Sequence, residues 1–219
     1  MLLKQLREEV WKMNLELPKN HLVTMTSGNV SGRDPKTGYV VIKPSGVKYD
    51  VLKPQDMVVV DLKGNKIEGK FNPSIDTISH LVVYRNNPLI NGIVHTHSPF
   101  ATSFAVAGKS LPVLMTEHAD EFGQSIPVAR YASPIPLEDV GESLCEILKK
   151  NNVKAILLKN HGVFTFGDTP TDALKSAVRI EDIAKIYVFA FFLGNPKPIP
   201  KYEVKKWYKR YHEIYGQKK

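Results

Sequence analysis

Cysteine is almost absent: Cys145 is the only one among 219 residues. No disulfide can close within the chain, and a thiolate zinc knuckle is excluded. This scarcity fits a reducing compartment. Long apolar runs are missing too. The opening MLLKQLREEVW is broken by charge at once, so it offers no secretory h-region. The most apolar helical stretch, Ile183 to Leu193, carries Lys185 and is too short to span a bilayer. The expectation is a soluble, cytoplasmic protein without a membrane partner. No repeat or low-complexity segment is present. What remains is an ordinary globular composition, 42% hydrophobic and 24% charged, with enough length for a real core.

The net charge of +8 is uneven. From Lys197 onward, eight Lys/Arg face two Glu, with Tyr202, Trp207, Tyr208, Tyr211 and Tyr215 interleaved. Such a tail could bind nucleic acid. The rest of the chain is nearly neutral and has no nucleic-acid motif. A helix docking its aromatic stripe on the body is therefore favoured, and no nucleic-acid partner is expected.

Periodicity predicts a helix over residues 2–17, stopped by Pro18. Strands are expected at Leu22–Thr26 and Tyr39–Lys43. A hairpin is expected around Lys63-Gly64-Asn65, between Asp56–Leu62 and Lys66–Glu68. Ser74 is read as the N-cap of a helix through Arg85, with Ile75, Ile78, Val82 and Leu81 as its core-side candidates. A strand at Gly92–His97 precedes a helix from Pro99 to Gly108. Leu111–Met115 and Val128–Tyr131 read as strands, and Leu137–Lys150 as a helix. Strands at Lys154–Lys159 and Val163–Phe166 flank Asn160-His161-Gly162. A long helix from Thr169-Pro170 to Leu193, a proline spacer and a basic terminal helix complete the chain. Hairpins interspersed with helices predict a single α/β domain over residues 1–219. Its architecture is three-layer αβα around a mixed, mostly antiparallel sheet.

The sharpest chemical feature is His95-Thr96-His97. Residues two apart on a strand project to one face, so both imidazoles point the same way at the strand end. That arrangement admits either a divalent metal site or two unrelated polar histidines. His161, in its turn before Gly162, is the best third ligand. Asp76 is a plausible fourth, or a first-turn carboxylate facing its helix dipole. His80, one turn later, reads as a supporting or surface histidine. The loops Ser27–Gly32 and Lys43–Val47 combine small residues with a lysine, as a phosphate cradle does, though they match no nucleotide fingerprint and could be plain hairpin turns. Glu117-His118-Ala119-Asp120-Glu121 could supply an acid or base, or form a solvated loop.

The ordered set Gly-Asn-Val-Ser, Ile-Lys-Pro-Ser-Gly, Pro-Ser-x-Asp-Thr, His-Thr-His and Asn-His-Gly resembles the class II aldolase/epimerase family of sugar phosphates. The resemblance runs from Leu2 to Gln217. Three features resemble its epimerases more than its fuculose-phosphate-type aldolases: Asp76 where those aldolases carry Glu, the segment His118-Ala119-Asp120, and the closing Tyr215-Gly216-Gln217. The resemblance implies one Zn²⁺ per subunit on Asp76, His95, His97 and His161, with Mn²⁺ or Co²⁺ as substitutes. It implies phosphate contacts from Asn29, Lys43, Ser45, Gly46 and Ser74. Asp120 and Tyr215 would be the acid/base pair, and residues 197–219 a C-terminal lid. It further implies a homotetramer with active sites at subunit interfaces, and a role in arabinose catabolism. The reaction implied is inversion of carbon 4 between L-ribulose 5-phosphate and D-xylulose 5-phosphate by carbon–carbon cleavage. An aldolase, or an epimerase directed to L-xylulose 5-phosphate, is the alternative. The chain departs from the family pattern at Ile75, where a second phosphate-site serine would stand. It also lacks a cleanly spaced histidine before Tyr215, where His212 and Trp207 are the nearest candidates.

Overall fold

The computed structural model describes residues 1–133 and 135–215. Eight strands form one sheet: β1 (Asn29–Arg33), β2 (Val40–Ile42), β3 (Val58–Val60), β4 (Lys66–Glu68), β5 (Gly92–Thr96), β6 (Val128–Ala129), β7 (Ala155–Leu158) and β8 (Gly162–Gly167). Their order is β4-β3-β2-β1-β5-β8-β7-β6. Every pairing is antiparallel except β6 with β7. Seven helices are described: α1 (Lys4–Lys19), α2 (Thr77–Asn86), α3 (Pro99–Ala107), α4 (Thr116–Phe122), α5 (Glu138–Leu148), α6 (Pro170–Leu193) and α7 (Lys201–Glu213).

Successive strand residues sort to opposite faces, as the period of two requires. Val40, Val58, Val60, Ile93, Ile156 and Phe164 pack against Leu81 of α2 and Leu144 of α5. Val30, Val41, Val59 and Val94 meet Val10 and Leu17 of α1 and Ala173 and Ala177 of α6. Farther along that face, Ala155, Leu157 and Val163 meet Ala101 of α3 and Ile180 of α6. With helices on both sides, the central strands bury every residue, which gives the expected αβα sandwich. Cys145 is buried in α5, as a small apolar residue should be.

Several local expectations need correction. Pro18 lies inside α1, which runs on to Lys19. So near the helix end it removes one bond only. Leu22–Thr26 is not a strand, because His21 and Met25 adopt left-handed backbone, which breaks extension. The small-residue segment after it is not a simple loop, since Asn29–Arg33 is a buried strand. Asp76, not Ser74, is the N-cap of α2, and Ile75 is 67% exposed rather than in the core. The reason is backbone pairing: Ser45 N donates to Asn72 O and Ser74 N to Lys43 O, both at 3.0 Å, which delays the helix. Leu111–Met115 contributes a single bridge, Leu111 to Ile126. The charged segment after it is helix α4. Among the described residues no helix is long and apolar enough to cross a membrane. Of the C-terminal segment, Gly216 to Lys219 lie outside the described residues.

Candidate metal centre and its surroundings

The centre forms where β5 ends. Antiparallel register sets His95 opposite Asn29 of β1 and Phe164 of β8. Val163, next to Phe164, supplies the carbonyl that lies 3.0 Å from His95 Nδ1. A carbonyl can only accept, so Nδ1 carries the proton and Nε2 keeps its lone pair. That lone pair faces His97 Nε2 at 3.1 Å. The His95 ring also stacks on Phe164, with centroids 4.2 Å apart. Two strand neighbours thus fix its orientation.

His161 arrives from the tight turn between β7 and β8, where Asn160 adopts φ 56°. Gly162 lets this turn approach. A Cβ there would sit 2.5 Å from Thr96 O and 2.6 Å from the His97 ring. The rings of His161 and His95 are 5.0 Å apart, and those of His161 and His97 5.2 Å. One nitrogen from each of the three lies within 4.8 Å of the others. Burial drives the His95 pKa down to about 3, with His97 and His161 adding to the shift. Burial lowers His97 and His161 as well. The rings are therefore held neutral, which is the ligating form.

Asp76 flanks the histidines from the N-terminus of α2. Burial opposes its ionisation, but His95, His80 and the Asn29 amide outweigh that and hold its pKa below the ordinary value. Asn29 Nδ2 donates to Asp76 Oδ2 at 2.7 Å and lies 3.2 Å from Ser74 Oγ. His80 is fully buried, and its Nδ1 lies 2.8 Å from Ser31 Oγ. Burial lowers its pKa to about 4.

Lys43 is 2% exposed. Its Nζ donates to Thr26 O at 3.2 Å and lies 4.8 Å from the Tyr49 ring centroid. Burial lowers its pKa to about 8, against the pull of Asp76. Its direct partners among the described residues are carbonyls and a ring, with no salt bridge. Ser45 and Gly46 follow on an exposed turn, where Gly46 takes φ +68° with open space around it. The structure thus gathers Asn29, Lys43, Ser74 and Asp76 beside the histidines. Tyr49 was missed by sequence reasoning. Its hydroxyl lies 2.8 Å from Ser27 O and 3.0 Å from Gly28 O, tying down the first loop, and nothing local announced it.

Asp120 and Tyr215 stand elsewhere. Among the described residues neither shares a hydrogen bond or ring contact with the histidines. In α4, Glu117 pairs with Arg179, and Glu121 with Lys175 at 2.9 Å. His118 is buried between Tyr187 OH and Gln124 O, both at 2.9 Å. That leaves Asp120, whose Oδ1 is buried without a partner. Burial raises its pKa, with Arg210 and His212 opposing. Helix α7 covers this region through Val204 and Trp207, packed on Val113 and Ala119. Arg210 also lies 5.5 Å from the Tyr215 ring, which is 65% exposed. Asp120 and Tyr215 therefore share one end of the molecule around Arg210. Trp207 is taken up in packing, and His212 is bonded to Tyr208 O and Lys154. A separate cleft of about 710 Å³, bordered by Leu89, Lys150 and Asp168, includes none of the expected site residues.

Comparison with known proteins bears on the whole of this arrangement. Residues 8–188 match the model of the class II aldolase and adducin N-terminal domain. The L-ribulose-5-phosphate 4-epimerases UlaF of Salmonella paratyphi B and of Salmonella paratyphi A are each 40% identical to the chain over 229 residues, covering 99% of it and 100% of the relative. Among solved structures, an L-fuculose 1-phosphate aldolase superposes with a TM-score of 0.84 at 28% identity, covering 95% of this chain and 96% of that one. The L-fuculose-1-phosphate aldolase of Thermus thermophilus superposes with a TM-score of 0.73 at 27% identity, covering 90% and 99%. With its sandwich fold, its three converging histidines and relatives matched end to end, the chain belongs to the class II aldolase/epimerase family.

Proposed function

We propose that the chain is a zinc-dependent L-ribulose-5-phosphate 4-epimerase that inverts carbon 4 by breaking and remaking a carbon–carbon bond. The observation that carries this reading is the meeting of three neutral imidazoles with a carboxylate, Asp76, that also acts on the buried Lys43. The name of the full-length relatives supports an epimerase over an aldolase.

The donor set fits a divalent cation. His95 presents a lone pair with its tautomer already fixed, His97 and His161 converge on it, and Asp76 stands beside them as a carboxylate. Zinc bound there would supply the Lewis acidity that an enediolate of the carbon 2–carbon 3 unit requires.

The hydrogen on carbon 4 is not acidic, so direct deprotonation cannot invert that centre. A base instead takes the carbon 4 hydroxyl proton. The pair of the carbon 3–carbon 4 bond moves to the carbon 2–carbon 3 unit, and carbon 4 becomes the aldehyde of glycolaldehyde phosphate. The aldehyde turns over, carbon 3 attacks its other face, and an acid returns the proton to the new hydroxyl. Proton carriers on opposite sides of the aldehyde are needed. Asp120 and Tyr215 fill those roles, and the raised pKa of Asp120 suits proton exchange. Asn29, Lys43, Ser45, Gly46 and Ser74 hold the phosphate, so that the fragment turns without leaving.

In this reading Asp120, Tyr215 and the lid serve the histidines of a neighbouring subunit in a homotetramer. Exposed Phe189, Phe192 and Leu193 at the end of α6 offer apolar surface for such assembly. The experiment is product analysis in D₂O. L-ribulose 5-phosphate should give D-xylulose 5-phosphate with no deuterium at carbon 4. Deuterium there would refute the cleavage route. Efficient net release of free aldehyde from L-fuculose 1-phosphate, with no epimerisation, would move the protein to the aldolases.

A further inference from the structure

The turn that carries His97 leads directly into α3, and the first donors of that helix can be accounted for one by one. Pro99 has no N–H. The amides of Phe100 and Ala101 donate to the two carboxylate oxygens of Glu181, at 2.9 and 2.8 Å. The amide of Thr102 donates to Ser98 O at 2.9 Å. Ser98 occupies the N-cap position, where a serine hydroxyl ordinarily accepts from the first turn. Here it caps nothing, and its Oγ is buried without a partner. The cap comes from α6 instead, 80 residues along the chain. Glu181 is only 9% exposed, so its charge is set against those amides rather than against water.

This cap bears on the histidines in two ways. It fixes the start of α3, and so the turn that presents His97. It also places a negative charge on the positive end of a helix that begins immediately after that turn. A divalent cation held by His97 would otherwise be opposed by that end. We infer that Glu181 is a positioning residue of the metal centre, locking the His97 turn and offsetting the field of the α3 N-terminus so that a divalent cation can be held beside it. The inference rests on the metal reading proposed above. It concerns a residue that is neither one of the proposed ligands nor one of the acid/base pair.

The test is zinc affinity, measured by competition with a chromophoric chelator on full-length, metal-stripped protein whose folding is verified by circular dichroism. Glu181→Gln keeps the shape and one acceptor but removes the charge. It should weaken zinc binding by about tenfold or more, the size usual for partners just outside a metal's ligands. Ser98→Ala, beside His97 but bonded to nothing through its hydroxyl, should stay within threefold of wild type. A loss under threefold for Glu181→Gln, or an equal loss for both variants, would overturn the inference. If metal-free Glu181→Gln does not fold, Glu181→Asp, which keeps the charge but not the reach, is read by the same threshold. Wild-type protein that binds no divalent metal would overturn the metal reading itself, a result distinct from failure of the Glu181 effect alone.

Discussion

His95 stands on a strand held from both sides, with His97 just past its end and His161 on the turn between two further strands, whereas Asp120 stands on α4 and Tyr215 just past α7, a helix that packs on α4. His95 is fixed by β1, by β8 and by the Phe164 ring, and Asp76 by Asn29. Tyr215 follows the last turn of α7 and is mostly exposed. Ligands must hold one geometry to bind a metal at all. Proton carriers that admit a substrate and then cover it need an end that can move. In the proposed reading, the ends of the inner strands and a docked terminal helix meet these two demands separately.

The largest effect should come from the rigid end. His95→Ala, His97→Ala or His161→Ala should lose bound metal and activity together, by about 10⁴-fold or more in rate, since each removes part of a Lewis acid worth several kcal/mol. Elemental analysis beside the rate assay checks this. Activity surviving in metal-free protein would erase the distinction between the two ends.

Next in size are Asp120→Asn and Tyr215→Phe, which should slow epimerisation by about 10²–10⁴-fold while metal content stays at the wild-type level. Mixing Asp120→Asn with His95→Ala subunits sharpens the comparison. Recovered activity places the two halves of a site on different subunits, and no recovery after verified subunit exchange places them on one.

A smaller effect concerns α4 itself. Burial holds the His118 pKa down at about 4. The unfolded chain takes up a proton near the ordinary value of about 6.5, while the folded one does not. Unfolding therefore binds protons in that window, and stability falls as pH drops from about 6.5 to about 4, then levels off. The share of His118 is up to about 3 kcal/mol. Urea titrations across this range should show a shallower pH slope for His118→Gln. An unchanged slope would mean that α4 is looser than its packing implies.

The smallest effect is expected at the close approach between turns. Gly162→Ala forces a Cβ against Thr96 O and the His97 ring. It should cost about 1–3 kcal/mol of stability through overpacking, with weaker metal binding as its companion. Unaltered melting and metal content would show that the β7–β8 turn has room to spare.

Much of the rigid end was legible from local pattern. His95-Thr96-His97 could be placed on one face because strand periodicity is local, and Asn160-His161-Gly162 marked a turn by composition. The long α6, with Thr169 at its cap, was legible for the same reason. Position and residue type offered His161, Asp76, the two loops and residues 117–121 only as candidates; the family resemblance turned them into a four-ligand set, a set of phosphate contacts and the Asp120–Tyr215 pair. Helix α4 escaped because seven residues with three charges carry too little periodicity to separate from a loop.

The amino-acid sequence by itself determined the elements, the in-line histidines and the alternation that buries both faces of the sheet, because each depends on residues a few positions apart. Only the tertiary structure decided the partners of the buried polar groups. Asn29 meets Asp76 across 47 residues, and Glu181 reaches α3 across 80. No local rule encodes such pairs. They arise because each polar group the sandwich buries must find a partner wherever the packing brings one. By the same logic, the unpaired oxygen of Asp120 stands out only after its neighbours Glu117 and His118 have found their partners.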